Sequence, residues 1–384
     1  MSEIRVDTIS EKTSGSGTTV SNLKNPNEPF RNLVINGDMQ LFQRGTSTTT
    51  VVNGSYQTAD RFKFYESTDG AYTSEYDNLS VADQATTSQR AALELNVTTA
   101  DGTIAAAQFA AVYHVLEGKN LQHLLYGTSA AKDLTLSFWV KSNKTGTYCV
   151  ALDKQTNTAY RLPIEYTISS ADTWEKKVIT FSPTAGSTSL ITASGAAISN
   201  STVAGMTVTF GLAWGSDYQG TNNTWTTSQH YATSNQVNWM DSTSNNFYIT
   251  GIQLEVGSGA SDFEHLPFDV QFHRCARYCY LIASGNDQRL GNGALYQTDE
   301  MYFPVFLPNV LRGAGTLTGV GGSGYFLFYR SGFGDYFDEV TLWNTRDNMA
   351  HLRSIAGTIS GTAGQAGMVT TANASASLII SAEL

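Results

Sequence analysis

The chain has 384 residues, of which 41% are hydrophobic and only 15% charged, with a formal net charge of −10. Soluble proteins average about a quarter charged residues; here Ser, Thr, Asn and Gly fill the gap, a composition typical of turn-rich β proteins with polar uncharged surfaces. No Lys/Arg cluster is present to neutralise phosphates or anionic headgroups, and no apolar run reaches the length of a transmembrane helix, so neither nucleic-acid binding nor membrane insertion is expected.

The N-terminal "MSEIRVDTISEK" has no apolar signal core, and three cysteines cannot build a disulfide framework. Reduced thiols made in a cytosol are the simplest reading. Residues 1–29 are too polar to bury a core alone. In "IRVDTI", Ile4, Val6 and Thr8 alternate with Arg5 and Asp7, which reads as a one-sided strand seeking a sheet, hence an arm that orders on a partner. Next comes "RNLVINGDMQLFQRG" (31–45). Leu33, Val34 and Ile35 are expected to enter a first strand, Asn36-Gly37-Asp38 to turn the chain, and Met39, Leu41 and Phe42 to supply apolar contacts.

Residues 30–265 read as one β domain. In "DLTLSFWVKS", Leu134, Leu136, Phe138 and Val140 share one face; in "MTVTFGLAWG", Val208, Phe210, Leu212 and Trp214 do the same. "DRFKFYE", "FAAVYHVLEG" and "TWEKKVITFS" are weaker strand candidates, and "KNLQHLLYG" a short helix stopped by Gly127. Many short strands with polar turns predict a jelly-roll β-sandwich. In "NNFYITGIQLEVG", the apolar phase slips by one between Phe247/Ile249 and Ile252/Leu254, which predicts a β-bulge at Thr250-Gly251. Residues 266–281 change period: Phe268, Phe272, Cys275 and Cys279 fall on one face of a connecting helix opened by Pro267. Residues 282–384 return to strands and predict a small C-terminal β-sandwich.

Little in the sequence points to catalysis. Cys275 and Cys279 lack the further ligands a zinc site needs and read as buried apolar thiols. "GVGGSG" (319–324) matches a dinucleotide fingerprint by letter, but "YFLFYR" follows where a helix must start, so a hairpin loop is expected. The histidines, His114 and His230 among them, show no metal spacing. Asp38, Asp60, Glu117 and Glu255 read as turn or edge residues, and no stretch gathers acids. The expectation is therefore no enzyme, with two dispersed carboxylates of a glycosidase the open alternative. The aromatics say more. Trp214, Tyr218, Trp225, Tyr231 and Trp239 lie in a stretch rich in Asn, Gln, Ser and Thr. Such rings can stack on sugars while amides bond their hydroxyls; the alternative is that they pack the loop onto its own domain or another subunit. "FYRSGFGDYFDEV" (328–340) reads as a second such loop.

The order "NLVINGDMQ…QRG", "TADRF", "VLEGKNLQHL", "LTLSFWVKS", "FYITGIQLEVG…FEHLPF", "RCARYCYL" resembles a family of bacteriophage virion proteins, tail-fibre or receptor-binding proteins whose central domain is similar to carbohydrate-binding jelly rolls. "IRVDTISEKTSGSGTTV" looks like the N-terminal segment of fibre-like phage proteins, and "YFPVFLP" to "LIISAEL" like their closing small β-sandwich. The resemblance implies a virion component assembled as a trimer in the bacterial cytoplasm; it does not fix the place on the particle, where the tail is expected before the head. It implies an N-terminal arm docked on other virion proteins and a host-surface glycan or protein as receptor. A head-decoration or tail-assembly protein fits the same motifs. In the related jelly rolls the "NGD" corner helps hold a structural calcium; Asp38 matches it, but Thr250-Gly251 stands where an acidic pair belongs, which leaves the site short of carboxylate. No other cofactor is implied.

Overall fold

A computed structural model describes residues 29–355 and 359–384. Of the expected N-terminal arm, all but Pro29 lies outside the described residues. The protein is mainly β. In the first sandwich the strands are β1 (Phe62–Glu66), β2 (Ala71–Asn78), β3 (Ala91–Thr99), β4 (Phe109–Glu117), β5 (Leu134–Lys141), β6 (Gly146–Lys154), β7 (Tyr160–Ile168), β8 (Glu175–Phe181), β9 (Ala204–Trp214) and β10 (Asn246–Val256). They form two antiparallel sheets, ordered β1-β4-β9-β6-β7 and β2-β3-β10-β5-β8. The inner faces of the two sheets share one core.

Alternation decides which side chains enter that core. Leu134, Leu136, Phe138 and Val140 of β5 are all buried in it, as their spacing predicts. Each such side chain contributes about 1.5–3 kcal/mol of burial. Strand β9 follows the pattern only as far as Leu212. The β4–β9 register shifts between Ala110 and Ala111, so Leu212 and Ala213 both face the core and Trp214 turns to the outer face. One inserted residue reverses the phase, which corrects the expectation that Trp214 shares a face with Leu212. The bulge predicted in β10 is present. Its register on β5 shifts between Thr250 and Gln253, Gly251 has φ 58°, and Phe247, Ile249, Ile252 and Leu254 all reach the core.

Residues 33–35 join no strand, contrary to expectation. Their neighbours' side chains satisfy the backbone instead. Asn32 Oδ1 accepts from the N–H groups of Val34 and Leu254, and its amide donates to the Ile252 carbonyl. Asn36, at φ 62°, accepts from the Gln40 and Leu41 N–H groups and donates to the carbonyls of Leu41 and Asp60. A Cβ at Gly37 would lie 2.0 Å from the Ile252 carbonyl oxygen, so the corner needs glycine for close approach rather than for its turn alone.

Helix α1 (Val81–Thr87), capped by the Ser80 hydroxyl, is not anticipated by the sequence pattern. The 119–127 segment gives a 3₁₀ helix, Gly118–Leu124, with Gly127 at positive φ beyond it. Helix α2 (Phe268–Ala276) starts after Pro267 as expected but stops well short of 281. The backbone beyond it is claimed by β11 (Cys279–Ser284), which pairs with a C-terminal strand, so Cys279 lies on a strand and not on the helical face of Cys275.

The second sandwich adds β12 (Arg289–Leu295), β13 (Met301–Phe306), β14 (Thr316–Val320), β15 (Phe326–Arg330), β16 (Phe333–Phe337), β17 (Val340–Arg346), β18 (Met349–Ser354), β19 (Ala366–Thr371) and β20 (Ser377–Ser381). A sheet ordered β11-β20-β14 faces one ordered β16-β15-β19-β12-β13-β18-β17 across a second core that includes Phe303, Phe328, Leu352 and Ile380. The glycine run at 319–324 is not a hairpin: β14 pairs with β20 and β15 with β16 and β19, so the run carries the chain between sheets. Residues 328–340, expected as a loop, largely form the β15–β16 hairpin, turned by Ser331 and Gly332 at φ 49° and 87°.

Charged groups fill the junction around α2. Arg61 is buried, pairs with Glu383, donates to the Val115 carbonyl at 2.6 Å, and lies 3.5 Å from the Tyr278 ring centroid. Arg277 and Tyr278 both bond Glu117. The acids expected at turns and edges are all buried: Asp38 accepts from Gln40, Asp60 from Gln43, Glu117 from Arg277 and Glu255 from Ser261.

Candidate functional site

The outer face of the β1-β4-β9-β6-β7 sheet is where the sequence-predicted aromatics meet. The alternation that sends Phe62 and Phe64 inward leaves Lys63 and Tyr65 outward on β1; likewise Phe109 and Tyr113 on β4 and Asp153 on β6 face out. The segment after β9 folds back over this face. It is held there by Cys149 N–H donating to Gln236 Oε1 at 2.6 Å, by the Thr226–Arg161 bridge, and by Val237 N–H donating to the Thr147 carbonyl at 2.8 Å.

Of the five aromatics singled out by sequence, Trp214, Tyr218 and Tyr231 come together here. Trp214 is stacked between Phe109 (5.1 Å, 8°) and Tyr231 (5.0 Å, 10°), so both its faces are taken. It acts as a spacer that holds the two partly exposed rings parallel. Tyr218 meets Trp214 edge-on at 5.3 Å. Tyr113 extends the file to Tyr65, with centroids 4.4 Å apart, and lies 6.4 Å from Tyr231. The other two singled-out tryptophans do not belong to it. Trp225 and Trp239 are 2% and 0% exposed, sit in the core, and donate their indole N–H groups to the carbonyls of Ser182 and Asn246. Polar neighbours in sequence suggested exposed rings; in the fold those neighbours form the loop that covers them.

Polar groups border the rings. Asp153 accepts from the Tyr231 hydroxyl at 3.3 Å and from Gln155 at 2.5 Å. Arg161 Nε stands 3.2 Å from Asp153 Oδ1 outside hydrogen-bonding geometry, and neither atom has a hydrogen-bond partner. The Thr209 hydroxyl, cross-strand from Tyr113, also lacks one. Burial pushes the Asp153 carboxyl up to about 6, opposed by Arg161, and raises the Tyr231 phenol to about 12, so Tyr231 keeps its proton at neutral pH. Lys63 lies 5.3 Å from the Tyr65 centroid and Arg161 5.8 Å from that of Tyr231. Sequence reasoning missed Tyr65, Phe109, Tyr113, Asp153 and Arg161. The available signal was the outward parity of Tyr65, Phe109 and Tyr113 in strands whose opposite parity is apolar.

The Asp38 corner does not suit a hard cation. Its two carboxylate oxygens accept from the side-chain amides of Gln271 and Gln40, and burial pushes its carboxyl upward. Calcium takes six to eight oxygens; among the described residues no group of three or more His, Cys, Asp or Glu could hold a metal. Thr250 donates instead to the Ala91 carbonyl at 2.6 Å. The three cysteines are buried free thiols. Among the described residues no helix is long and apolar enough to cross a membrane.

No family model matches this chain, and no curated protein does. Solved structures with a similar chain path include a proposed sugar binding protein from Bacteroides thetaiotaomicron VPI-5482 (15% identity, 59% of this chain and 99% of that one, TM-score 0.34). Others are the enzymatically active domain of Bacteriophage CBA120 tailspike protein 4 (12%, 60% and 22%, TM-score 0.29) and the family 11 carbohydrate-binding module of Clostridium thermocellum Lic26A-Cel5E (12%, 55% and 95%, TM-score 0.27). At such identities and TM-scores these likenesses carry no residue's role and no activity over to this chain.

Proposed function

We propose that this protein is a non-catalytic structural component of a bacteriophage particle that binds host-surface glycans through the outer face of β1-β4-β9-β6-β7. The observation that carries the glycan part is the file of partly exposed tyrosines, Tyr65, Tyr113, Tyr231 and Tyr218, braced by Trp214 and edged by Asp153, Arg161 and Lys63. Rings take the C–H faces of sugars, and the charged and hydroxyl groups take their hydroxyls. The phage part rests on the ordered sequence motifs. In this reading residues 1–29 dock on other virion proteins, 30–265 are the binding jelly roll, 266–281 connect, and 282–384 form the second sandwich of a trimeric tail fibre. No cofactor takes part. Glycan degradation is the competing reading, favoured by the raised carboxyl of Asp153; glycoside hydrolysis by the usual route needs a second acid across the bond.

The test is binding of the purified full chain to host cells. The wild type binds, and Tyr65→Ala/Tyr231→Ala loses at least tenfold in affinity while its melting curve shows that it is still folded. Undiminished binding by that variant overturns the assigned face. Release of reducing sugars from host polysaccharide overturns the non-catalytic reading.

A further inference from the structure

The outermost strand of a sheet leaves the N–H and C=O of every second residue without a strand partner, and proteins cover such edges or blunt them with charges, proline or bulges. Elsewhere in this protein that is done. In the first sandwich β1 is bridged by Ser55, β7 by Thr226 and β2 by Ser47, and β8 carries Glu175, Lys176 and Lys177. In the second, Gln43 bonds the Cys279 carbonyl and the Leu281 N–H along β11, β16 carries Asp335, and β17 is broken by its register shift between Leu342 and Asn344. Strand β14 has none of these devices. Its sequence, Thr-Leu-Thr-Gly-Val, holds no charge and no proline, and its register on β20 is unbroken. Among the described residues β20 is its only paired strand. Thr316, Thr318, Gly319 and Val320 are exposed.

Beside this open edge lies a groove of about 740 Å³. Its apolar lining comes from Leu317 and Val320 of β14, Val340 and Leu342 of β17, and Phe326 and Leu378, so the groove runs where the two sheets part. Open backbone groups along an apolar groove define the occupant. It is an extended strand, whose N–H and C=O groups pair with β14 and whose alternate side chains are apolar. A sugar or an ion cannot present such a row of backbone groups. Residues 1–28, which precede the exposed Phe30, hold one run of that form. Ile4, Val6 and Thr8 alternate with Arg5 and Asp7 over five residues, the length of β14. Residues 9–28 span up to about 70 Å when extended, enough to pass from one chain to the next.

We propose that residues 4–8 of one copy of this chain add as a strand to the free edge of β14 in a neighbouring copy, with Ile4, Val6 and Thr8 toward the groove and Arg5 and Asp7 on the opposite face. This rests on the docking arm and the trimer of the proposed function, and names a neighbouring copy as the first virion protein that the arm engages. Each chain gives one strand and receives one, the head-to-tail contact from which a cyclic trimer is built.

The experiment uses the full chain with the photocrosslinker p-benzoylphenylalanine in place of Thr8. Illumination is expected to give covalent links between chains, mapped to the tryptic peptides of residues 313–330 and 331–346, which carry the two sides of the groove. Ile4→Asp/Val6→Asp is expected to lower the yield of these links at least tenfold and to bring the species seen in ultracentrifugation down to a single chain. Melting curves verify that each variant is folded. Links confined within one chain, links to peptides outside the groove, or no links in a chain that sediments as an oligomer would each overturn the proposal. A variant Ile4→Asp/Val6→Asp that stays oligomeric overturns it while leaving the trimer standing. A wild type that sediments as a single chain overturns both.

Discussion

Trp225 and Trp214 show how much a tryptophan's role depends on which side of a sheet it meets. Trp225 lies in polar sequence yet is a core residue with its indole bonded to Ser182, whereas Trp214 ends an apolar strand yet is a spacer between two rings. Trp225→Ala is expected to cost about 3–5 kcal/mol of stability, read from urea denaturation, because it opens a core cavity and leaves the Ser182 carbonyl without that donor. Tyr65→Ala is expected to change stability by less than about 1 kcal/mol. Equal losses for the two would contradict the assigned burial. Gly37 is the other residue-scale constraint. Gly37→Ala drives a Cβ into the Ile252 carbonyl, and a variant that folds with wild-type stability would show that the corner can relax. The Asn-Gly pair was readable as a turn; that its glycine is fixed by a strand more than 200 residues away was not, since close approach is a tertiary fact.

Strands were legible wherever one face is apolar and the other polar, as in β5, although Thr135 and Ser137 of its polar face are also buried, and the β10 bulge was legible because the apolar phase slips within one continuous run. The β9 bulge was not, because Leu212, Ala213 and Trp214 are all apolar and conceal the slip. Helix α2 was overextended for a related reason: Cys275 and Cys279 have helical spacing, but pairing of β11 with β20 outweighs it. The candidate face was half-readable. Its loop tyrosines stand out, whereas Tyr65, Tyr113 and Asp153 gain meaning only when β1, β4 and β6 come into one sheet. The β6–β7 pair Asp153–Arg161 gives an element-scale prediction. Burial raises Asp153 from 3.8 to about 6, so the folded state binds its proton more tightly than the unfolded state does. The stabilising contribution is full below about pH 4 and lost as pH rises through about 6. The stability difference between wild type and Asp153→Asn should therefore fall by on the order of 2 kcal/mol across that window. A flat difference curve would show the carboxyl to be unperturbed.

At the scale of the molecule, the two cores meet through buried ionic groups set beside a small apolar cluster of Ile35, Leu41, Cys275 and Tyr278. Glu383 pairs with Arg61 and Arg44, and Arg312 donates to the carbonyls of Ala382, Glu383 and Thr202. Removing one partner of a buried ion pair costs about 3–5 kcal/mol. Glu383→Gln should thus split a single calorimetric unfolding transition into two, one per sandwich, and an unsplit transition at the wild-type temperature would show that the pair does not couple them. This junction was opaque in sequence, because its partners lie more than 300 residues apart. The central claim, that the outer tyrosine face of the first sandwich binds glycan, is tested most directly by co-crystallising the full chain with an oligosaccharide it binds. The expected result is a sugar ring stacked along Tyr65, Tyr113 and Tyr231 with a hydroxyl on Arg161 or Lys63. A sugar bound away from this file, with the tyrosines untouched, would contradict it.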